Sequence, residues 1–322
     1  MHTSLFFKFF PPPKFMVMKH VGLDISDDSI HCIEYSGHAP NMRISKHISL
    51  ELPAGIIESG EIKDEKALSS ILSKLDKDMD LSYVKVSVPE EKSYLFQTDI
   101  TSSDPVAIAQ NVEFKLEENV PLSVAEAVFY FDIVPLTVTG GKFRASVSVV
   151  PRVYIENIIT ILRAAGISPI AFEVVPKSIA KAVLPVNSEG SAMIVHIMNN
   201  KTGIYVVCGG VVCFTSTVTW GGLVKTGAET NDVKVLLNEI KRVNDYWISH
   251  SVESSKLDQI IIVGHDALKY ESFITELAST IGLTVSVGNV WTNAFSVNDY
   301  VPPIFKEDSL DYAVSAGLAM DL

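Results

Sequence analysis

Two polar turns, each set between two apolar stretches, hold the residues of this chain that best suit contact with a phosphate. Their acidic, amide and hydroxyl residues include Asp24, Ser26 and Ser29 within residues 21–35, and Asn200 and Thr202 within residues 192–207. An apolar strand, a turn rich in such residues and a second apolar strand are typical of a β-hairpin. Paired hairpins can hold phosphates with the N–H groups and small hydroxyls of their turns. The sequence therefore poses the question of whether this chain still does so.

The apolar pattern around these turns indicates two α/β halves that each open with a hairpin. Residues 66–77 form a predicted helix because their apolar side chains recur at helical spacing. Asp104 and Pro105 predict a second helix start, as N-cap and first-turn proline. The other predicted helices are residues 154–165, ended by Gly166, one starting at Asp232 and one ending at Ile281. The other predicted strands are residues 44–52, 84–88, 94–100, 128–135, 143–150, 211–220, 260–263 and 284–287.

Length, composition and charge favour a globular protein of about two domains. The 322 residues are 47% hydrophobic and 20% charged, and the formal net charge is −12. Nucleic-acid binding needs a surplus of Lys and Arg, so this charge argues against a nucleic-acid partner. No stretch approaches the roughly 18–20 apolar residues that span a bilayer, so we expect no transmembrane segment.

The cysteines and the first residues carry weaker signals. Cys32, Cys208 and Cys213 form no CxxC pair and are interpreted as buried hydrophobic residues of a reducing compartment. Residues 1–20 form an arm rich in aromatic residues and proline. The arm makes a poor signal peptide. We expect it to dock on its own domain, the alternative being a membrane surface or a partner.

Five stretches, in their order and spacing, form a recognisable set. They are residues 22–25 with the Ser-bearing turn that follows, 88–100, 117–132, 149–167 and 302–319. Together they resemble the PilM family, the actin-like proteins of type IV pilus assembly that are related to the cell-division protein FtsA. The likeness covers nearly everything from about residue 21 to residue 322.

This resemblance implies an α/β, actin-like (ribonuclease H-like) fold of two lobes, with a small extra α+β subdomain inserted in the first lobe. The boundaries expected are residues 1–20 for the arm, 21–185 for the first lobe with the insertion at about 94–166, and 186–322 for the second lobe. The C-terminal helix, residues 310–322, is expected to return to the first lobe. The family also implies ATP and Mg²⁺ in the cleft between the lobes.

The resemblance further implies partners and a location. PilM-type proteins bind the cytoplasmic tail of an inner-membrane pilus protein, PilN, in a groove beside the inserted subdomain, and they work with other pilus assembly proteins at the cytoplasmic face of the membrane. Residues 94–100, 120–123 and 154–165 are expected to line that groove here. An extended tail would add to an exposed strand edge, and the acidic balance suits a basic tail.

The first turn departs from the family pattern of Asp-Ile-Gly, small hydroxyl residues and Lys. Asp24 and Ser29 match, but Ser26 stands at the glycine position and His31 at the lysine position. A side chain at the glycine position restricts a backbone that must approach a phosphate closely. Two aspartates at 27–28 would repel a triphosphate unless they bind Mg²⁺, and a solvated, capped turn is the preferred interpretation.

The second turn departs further. His196 stands where the family has the Asp that orients metal-bound water, and Met198 stands at its glycine position. We interpret His196 as a hydrogen-bonded core histidine rather than a ligand or base. Lys201 and Thr202 could still touch a phosphate, although an ordinary hairpin turn is the preferred interpretation.

The adenosine side of the pocket is reduced as well. Gly264 is followed by His265 and Asp266, where the family carries two or three glycines, and the passage at 220–232 is shorter than the family's. Three altered edges of one pocket predict a degenerate nucleotide site. Its remaining candidate ligands are Asp24, Ser26, Ser29, Asn200, Thr202 and Gly264.

The sequence thus predicts a cytoplasmic, actin-like scaffold of type IV pilus assembly, or of a related secretion system, that is not an enzyme. No catalytic residue and no metal ligand is assigned, and ATP with Mg²⁺ stays open by resemblance. The alternative is a nucleotide-gated PilM-type protein in which ATP–Mg²⁺ closes the lobes and changes the groove. A sugar or acetate kinase of the same superfold is disfavoured, because the second hairpin has no suitable Asp.

Overall fold

The computed structural model of the chain describes residues 19–101, 104–139, 142–219, 231–250, 256–265, 267 and 271–321. The arm up to residue 18 and the passage at 220–230 lie outside these residues. No helix in the described part is long and apolar enough to cross a membrane.

A five-stranded sheet forms the first lobe. Its strands are β1 (Val21–Ile25), β2 (Ser29–Ser36), β3 (Arg43–Glu51), β6 (Tyr83–Val88) and β10 (Ser168–Val174). The spatial order is β10–β6–β1–β2–β3. β1, β2 and β3 run antiparallel, whereas β6 and β10 add in parallel on the other side of β1.

The second lobe repeats this arrangement. Its strands are β11 (Ser191–Ile197), β12 (Lys201–Cys208), β13 (Val211–Thr219), β14 (Leu257–Gly264) and β15 (Thr284–Val287). The order β13–β12–β11–β14–β15 again places three antiparallel strands beside two parallel ones. The predicted pair of α/β halves, each opening with a hairpin, is therefore confirmed.

Helices cover the sheets. They are α1 (Glu65–Met79), α2 (Pro105–Asn119), α3 (Arg152–Ala164), α4 (Val175–Val183), α5 (Asn231–His250), α6 (Glu271–Ile281), α7 (Lys306–Ser309) and α8 (Ala313–Leu318). The carboxylate of Asp104 accepts the N–H of Ala107 at 3.2 Å, and Pro105 follows at the first helical position. The predicted N-cap of α2 is thus confirmed.

A three-stranded sheet with its own core extends from the first lobe. Its strands, β7 (Tyr94–Ile100), β8 (Ala127–Thr139) and β9 (Lys142–Pro151), lie in the order β7–β9–β8 and pack against α2. The face of this sheet opposite α2 contacts the second lobe. There the Ser146 hydroxyl donates to the Val212 carbonyl at 2.6 Å, and the Gln97 amide donates to the Cys213 carbonyl at 2.8 Å.

The C-terminal segment differs from the single helix expected over residues 310–322. A 3₁₀ turn, Leu310–Tyr312, precedes α8, and α8 ends at Leu318. Every residue of α8 is buried where it packs against α4 and β1. A Cβ on Gly22 would lie 2.1 Å from the Ser315 carbonyl oxygen, so only glycine permits the approach.

A short hairpin that the sequence patterns did not predict stands beside the first turn. It consists of β4 (Ile57–Glu58) and β5 (Glu61–Ile62). Ser59 and Gly60 form its turn with φ values of 50° and 70°. Both backbone N–H groups of this turn point to Asp27, which brings the hairpin into the site described next.

Candidate functional site

The two polar turns face each other across a cleft of about 470 Å³. Its lining carries several carboxyl groups, namely those of Asp24, Asp27, Asp28, Glu51, Glu90 and Asp311. Three histidines also line it, His31, His196 and His265. Among the described lining residues, Lys201 is the one lysine or arginine. The cleft is therefore acidic.

The hydroxyls of the first turn are engaged within the turn itself. The Oγ atoms of Ser26 and Ser29 lie 2.8 Å apart, and they lie 3.0 Å and 3.2 Å from Oδ1 of Asp28. The N–H of Ser29 also donates to Oγ of Ser26 at 3.1 Å. These hydroxyls thus brace a closed turn rather than point freely into the cleft.

Asp28 links the first turn to the second. Its Oδ2 accepts a hydrogen bond from Nδ2 of Asn199 on the opposite side of the cleft. Burial alone would raise the pKa of Asp28, but the hydrogen bonds from Asn199 and the two serines lower it below its usual range. Asp28 therefore stays ionised and bonded across the lobes.

Lys201 makes the second connection across the cleft. Its Nζ lies 3.6 Å from Oδ2 of Asp27 and forms an ion pair with Glu91. Burial would lower the pKa of Lys201, but the charges of Glu90 and Glu91 outweigh it and raise the pKa above its usual value. Asp27 is itself fixed by the N–H of Gly60 at 2.8 Å. The ammonium of Lys201 is thus held by two carboxylates of the first lobe.

Asp24 and Glu90 are the most strongly shifted carboxyl groups in the cleft. Burial raises the pKa of Asp24 to about 6, although Ser87 and Lys201 oppose the rise. Burial, together with the neighbouring charge of Glu91, raises the pKa of Glu90 to about 7. Both groups resist ionisation because they are shielded from water, and further negative charge nearby would make ionisation harder still.

Two of the cleft histidines, His31 and His196, supply little positive charge near neutral pH. Burial lowers the pKa of His31 to about 4 and that of His196 to about 3. His31 contacts Oγ of Ser49 at 3.1 Å through Nε2. Nδ1 of His196 is shielded from solvent without a hydrogen-bond partner, so the hydrogen bond expected for a core histidine is not made at that atom.

Gly264 stands at the end of β14, where the second turn meets the cleft. Its φ is +94°, and a Cβ there would lie 2.1 Å from the carbonyl oxygen of Ile197. This close approach requires glycine for the packing of β14 against β11 whether or not a ligand binds.

The structure brings some of the predicted site residues together and leaves others outside. Those that line the cleft are Asp24, Ser26, Ser29 and Gly264. Asn200 is exposed outside the lining, and Thr202 is fully buried with its Oγ1 unpartnered. Asn199 and Lys201 supply the cleft contacts of the second turn instead. Because strand side chains alternate in direction, Lys201 points into the cleft and Thr202 points away.

Sequence reasoning missed the role of Glu90 and Glu91. The Val-Pro-Glu-Glu stretch at 88–91 carries part of the family likeness, but the sequence indicates no function for it. It forms a 3₁₀ turn, Glu90–Lys92, between β6 and β7. A charged pair after a buried strand and a proline was the available signal.

Within the described ranges no cluster of three or more His, Cys, Asp or Glu is arranged to hold a metal ion.

A second candidate site lies between two edge strands. β10 is an edge of the first-lobe sheet and β8 an edge of the inserted sheet. Lys177 of α4, the helix that directly follows β10, donates to Asp132 on β8 at 2.7 Å and lies 4.1 Å from the ring centroid of Tyr130. Exposed apolar side chains near these edges are Val128, Tyr130 and Ile170.

Only some of the segments expected to line the groove lie near the edges of β8 and β10. Residues 94–100 form β7, at the opposite edge of the inserted sheet. Residues 120–123 directly precede the 3₁₀ turn that leads into β8. Within residues 154–165, Ile158 and Leu162 belong to the first-lobe core. The strand edge of β8 is therefore the better-defined surface.

Solved structures share this fold at low sequence identity. A chain of the PilM–PilN type IV pilus biogenesis complex matches with a TM-score of 0.76 at 17% identity, covering 94% of this chain and 98% of that one. MreB5 of Spiroplasma citri bound to ADP matches with 0.51 at 10%, covering 94% and 95%. EutJ from Carboxydothermus hydrogenoformans matches with 0.50 at 13%, covering 96% and 90%. The predicted actin-like fold is confirmed.

Sequence comparison identifies the family. No curated protein matches the chain. The family model described as type IV pilus assembly protein PilM matches residues 22–232, which is well over half of the 322 residues. The chain therefore belongs to the PilM family of type IV pilus assembly proteins.

Proposed function

We propose that this protein is a non-enzymatic scaffold at the inner face of the cytoplasmic membrane. There it binds the cytoplasmic tail of a PilN-like inner-membrane protein together with other assembly proteins, and its nucleotide site is degenerate. The observation that carries this proposal is the acidic, internally bonded cleft. Family membership and the likeness to a chain of the PilM–PilN type IV pilus biogenesis complex support the partner.

The cleft residues do not suit ATP–Mg²⁺. A triphosphate would meet Asp24, Asp27 and Asp28, and like charges about 4 Å apart repel by between about 1 kcal/mol in water and about 4 kcal/mol near a protein surface. Lys201, which would have to offset this repulsion, is already paired with Asp27 and Glu91. The serine hydroxyls are bonded within their own turn. Each of these side-chain donors would have to break a protein contact before it could bind a phosphate.

The edge of β8 provides a surface for an extended tail. An added strand there would gain main-chain hydrogen bonds, and the side chains of Val128 and Tyr130 would contact it on one face, because strand residues two apart point the same way. Lys177 and Asp132 close one side of this surface through their 2.7 Å contact. A tail with alternating apolar residues fits these features.

Peptide titration tests the tail-binding proposal. The probe is a synthetic peptide with the cytoplasmic tail sequence of the PilN protein from the same organism, and the readout is fluorescence anisotropy. We expect Tyr130→Ala to weaken binding about tenfold or more, as loss of an aromatic contact residue does at other interfaces. The matched control is Phe114→Ala, since Phe114 is an exposed aromatic on α2, across the same sheet. Equal effects of the two variants, or no binding at all, would reject this site.

A second candidate function is the nucleotide-gated one, favoured by the size of the cleft. Its volume of about 470 Å³ falls within the range of roughly 300–1,000 Å³ usual for small-molecule sites. Calorimetry and thermal-shift scans with ATP and Mg²⁺ separate the two functions. A nucleotide at 100 times its dissociation constant would stabilise the fold by about 2.7 kcal/mol. We expect neither heat nor a shift at millimolar ATP, and a clear shift would make gating the better proposal.

A further inference from the structure

We propose that Asn199 and Lys201 act as a built-in clamp that closes the cleft without a ligand. Asn199 donates a hydrogen bond to Asp28, and Lys201 forms ion pairs with Asp27 and Glu91, so each contact joins the second lobe to the first. In this arrangement the protein's own side chains supply the bridge that a bound nucleotide would otherwise make. The inference rests on the proposed degeneracy of the site and is independent of tail binding.

Two of the three anchors on the first lobe, Asp27 and Asp28, are rigidly held. Asp27 accepts the N–H groups of Ser59 and Gly60 at 3.2 Å and 2.8 Å, which tie it to the β4–β5 hairpin. Asp28 is braced by the hydroxyls of the first turn. A preorganised carboxylate loses little freedom when it meets its partner, so each cross-cleft contact favours the closed arrangement.

The clamp also reaches the inserted subdomain. Glu91 lies in the 3₁₀ turn Glu90–Lys92, and β7 begins two residues after that turn, at Tyr94. The adjacent Glu90 accepts the hydroxyl of Tyr205 from β12. The second lobe thus contacts the segment that connects the first-lobe sheet to the inserted sheet. Closure of the cleft and placement of the inserted sheet are therefore coupled through Lys201.

Burial makes these contacts hard to replace with water. The side chains of Lys201 and Asp27 are 9% and 12% exposed, and that of Glu91 is 20% exposed. If the cleft opened, the charged groups of Lys201, Asp27 and Glu91 would lose their ion pairs and would have to be hydrated instead. Shielding of this kind also makes the ion pairs less sensitive to salt than surface pairs are.

Crosslinking tests whether the cleft is closed without nucleotide. The double variant Asp28→Cys with Asn199→Cys leaves the Lys201 contacts intact, and the three natural cysteines are 0%, 1% and 7% exposed. A short bis-methanethiosulfonate should link the new pair rapidly, at a rate that ATP–Mg²⁺ does not change. The matched control, Asp28→Cys with Asn200→Cys, should link more slowly, because Asn200 lies outside the cleft lining. Single-cysteine variants should give no intramolecular link.

Two results would overturn the clamp, and they differ in whether they also reject the degenerate nucleotide site. No link with or without ATP–Mg²⁺ would reject the clamp but leave the degenerate site unaffected. A link that forms only with ATP–Mg²⁺ would reject both.

Hydrogen exchange of the full chain tests the coupling to the inserted subdomain. We expect Lys201→Met to speed amide exchange in β7 by about tenfold or more, while the central strand β14 changes little. Lys63→Met is the control, since Lys63 forms an exposed ion pair with Glu61. If Lys201→Met does not fold, Asn199→Ala at the exposed end of the clamp should raise exchange in the first turn. Unchanged exchange in β7, or in the first turn for the second variant, would overturn the proposal.

Discussion

The hydroxyl of Tyr205 donates to Oε1 of Glu90 over 3.0 Å, and both residues are buried. The ring of Tyr205 lies over Gly203 two residues earlier on the same strand, where a Cβ would lie 1.9 Å from the tyrosine oxygen. Glycine at this position is therefore needed for the tyrosine to reach across to the first lobe. The bond places a titrating carboxyl group at the contact between the lobes.

Glu90→Gln should flatten one part of the pH dependence of stability. The pKa of Glu90 rises from 4.5 to about 7 on folding, so the folded state binds more protons than the unfolded state in that window. The free energy of unfolding therefore falls as pH rises from 4.5 to about 7, and this contribution is lost in the variant. Urea unfolding at a series of pH values measures this free energy. As pH rises, the stability of the variant relative to that of the natural protein should increase.

Other groups also make the free energy of unfolding depend on pH, so only the difference between the two proteins is diagnostic. Asp24, like Glu90, lowers the free energy of unfolding as pH rises to about 6. His31 acts in the opposite direction, because its pKa is lowered to about 4 in the folded state. A constant difference between Glu90→Gln and the natural protein across the pH series would show that Glu90 does not titrate as inferred.

Thr202→Val should stabilise the protein by about 1 kcal/mol. The Oγ1 atom of Thr202 is buried without a hydrogen-bond partner, and such a hydroxyl costs about 1–3 kcal/mol in proteins. Valine keeps the shape and removes the polar atom. Urea unfolding is the measurement, with Thr160→Val as control, because the Thr160 hydroxyl already donates to the Glu156 carbonyl at 2.8 Å. A loss of stability would mean that Thr202 has a polar partner.

Gly22→Ala should disrupt the docking of α8 on β1. The new methyl would lie 2.1 Å from the Ser315 carbonyl oxygen and 2.7 Å from the Ala319 nitrogen. Because both atoms belong to backbone, the helix itself must shift, and we expect a loss of about 3 kcal/mol or more. Gly210→Ala is the control. Its φ is +81° with open space around the Cβ, so it should lose only about 1–2 kcal/mol. Similar losses would contradict the close approach.

Lys201→Met should lower the free energy of unfolding by about 3–5 kcal/mol, because it leaves Asp27 and Glu91 as largely buried charges without their cation. Adding Asp27→Asn should recover part of the loss by removing one unpaired charge. Chemical denaturation of the single and double variants measures this. Equal stabilities of the Lys201→Met variant and the natural protein would mean that the ion pairs contribute nothing.

Local sequence determined most of the elements in this protein. A polar turn between two apolar stretches marked each of the two hairpins, helical spacing marked α1, and Asp104 with Pro105 marked the start of α2. These signals work because capping and the spacing of apolar side chains depend on neighbours within a few residues. The family likeness added the two-lobed arrangement, and the comparisons bear it out. The β4–β5 hairpin was missed because it has only two residues in each strand.

The tertiary structure decided which polar groups meet. The sequence indicated that both turns were altered but not that Asn199 would meet Asp28, 171 positions away along the chain. Nor did it assign Lys201, rather than Thr202, to the cleft, because strand register fixes which side chain points inward. The partners of Lys201 come from the first turn and from the turn before β7. Such pairings depend on how two sheets pack together, and that packing is a property of the whole fold rather than of any local pattern.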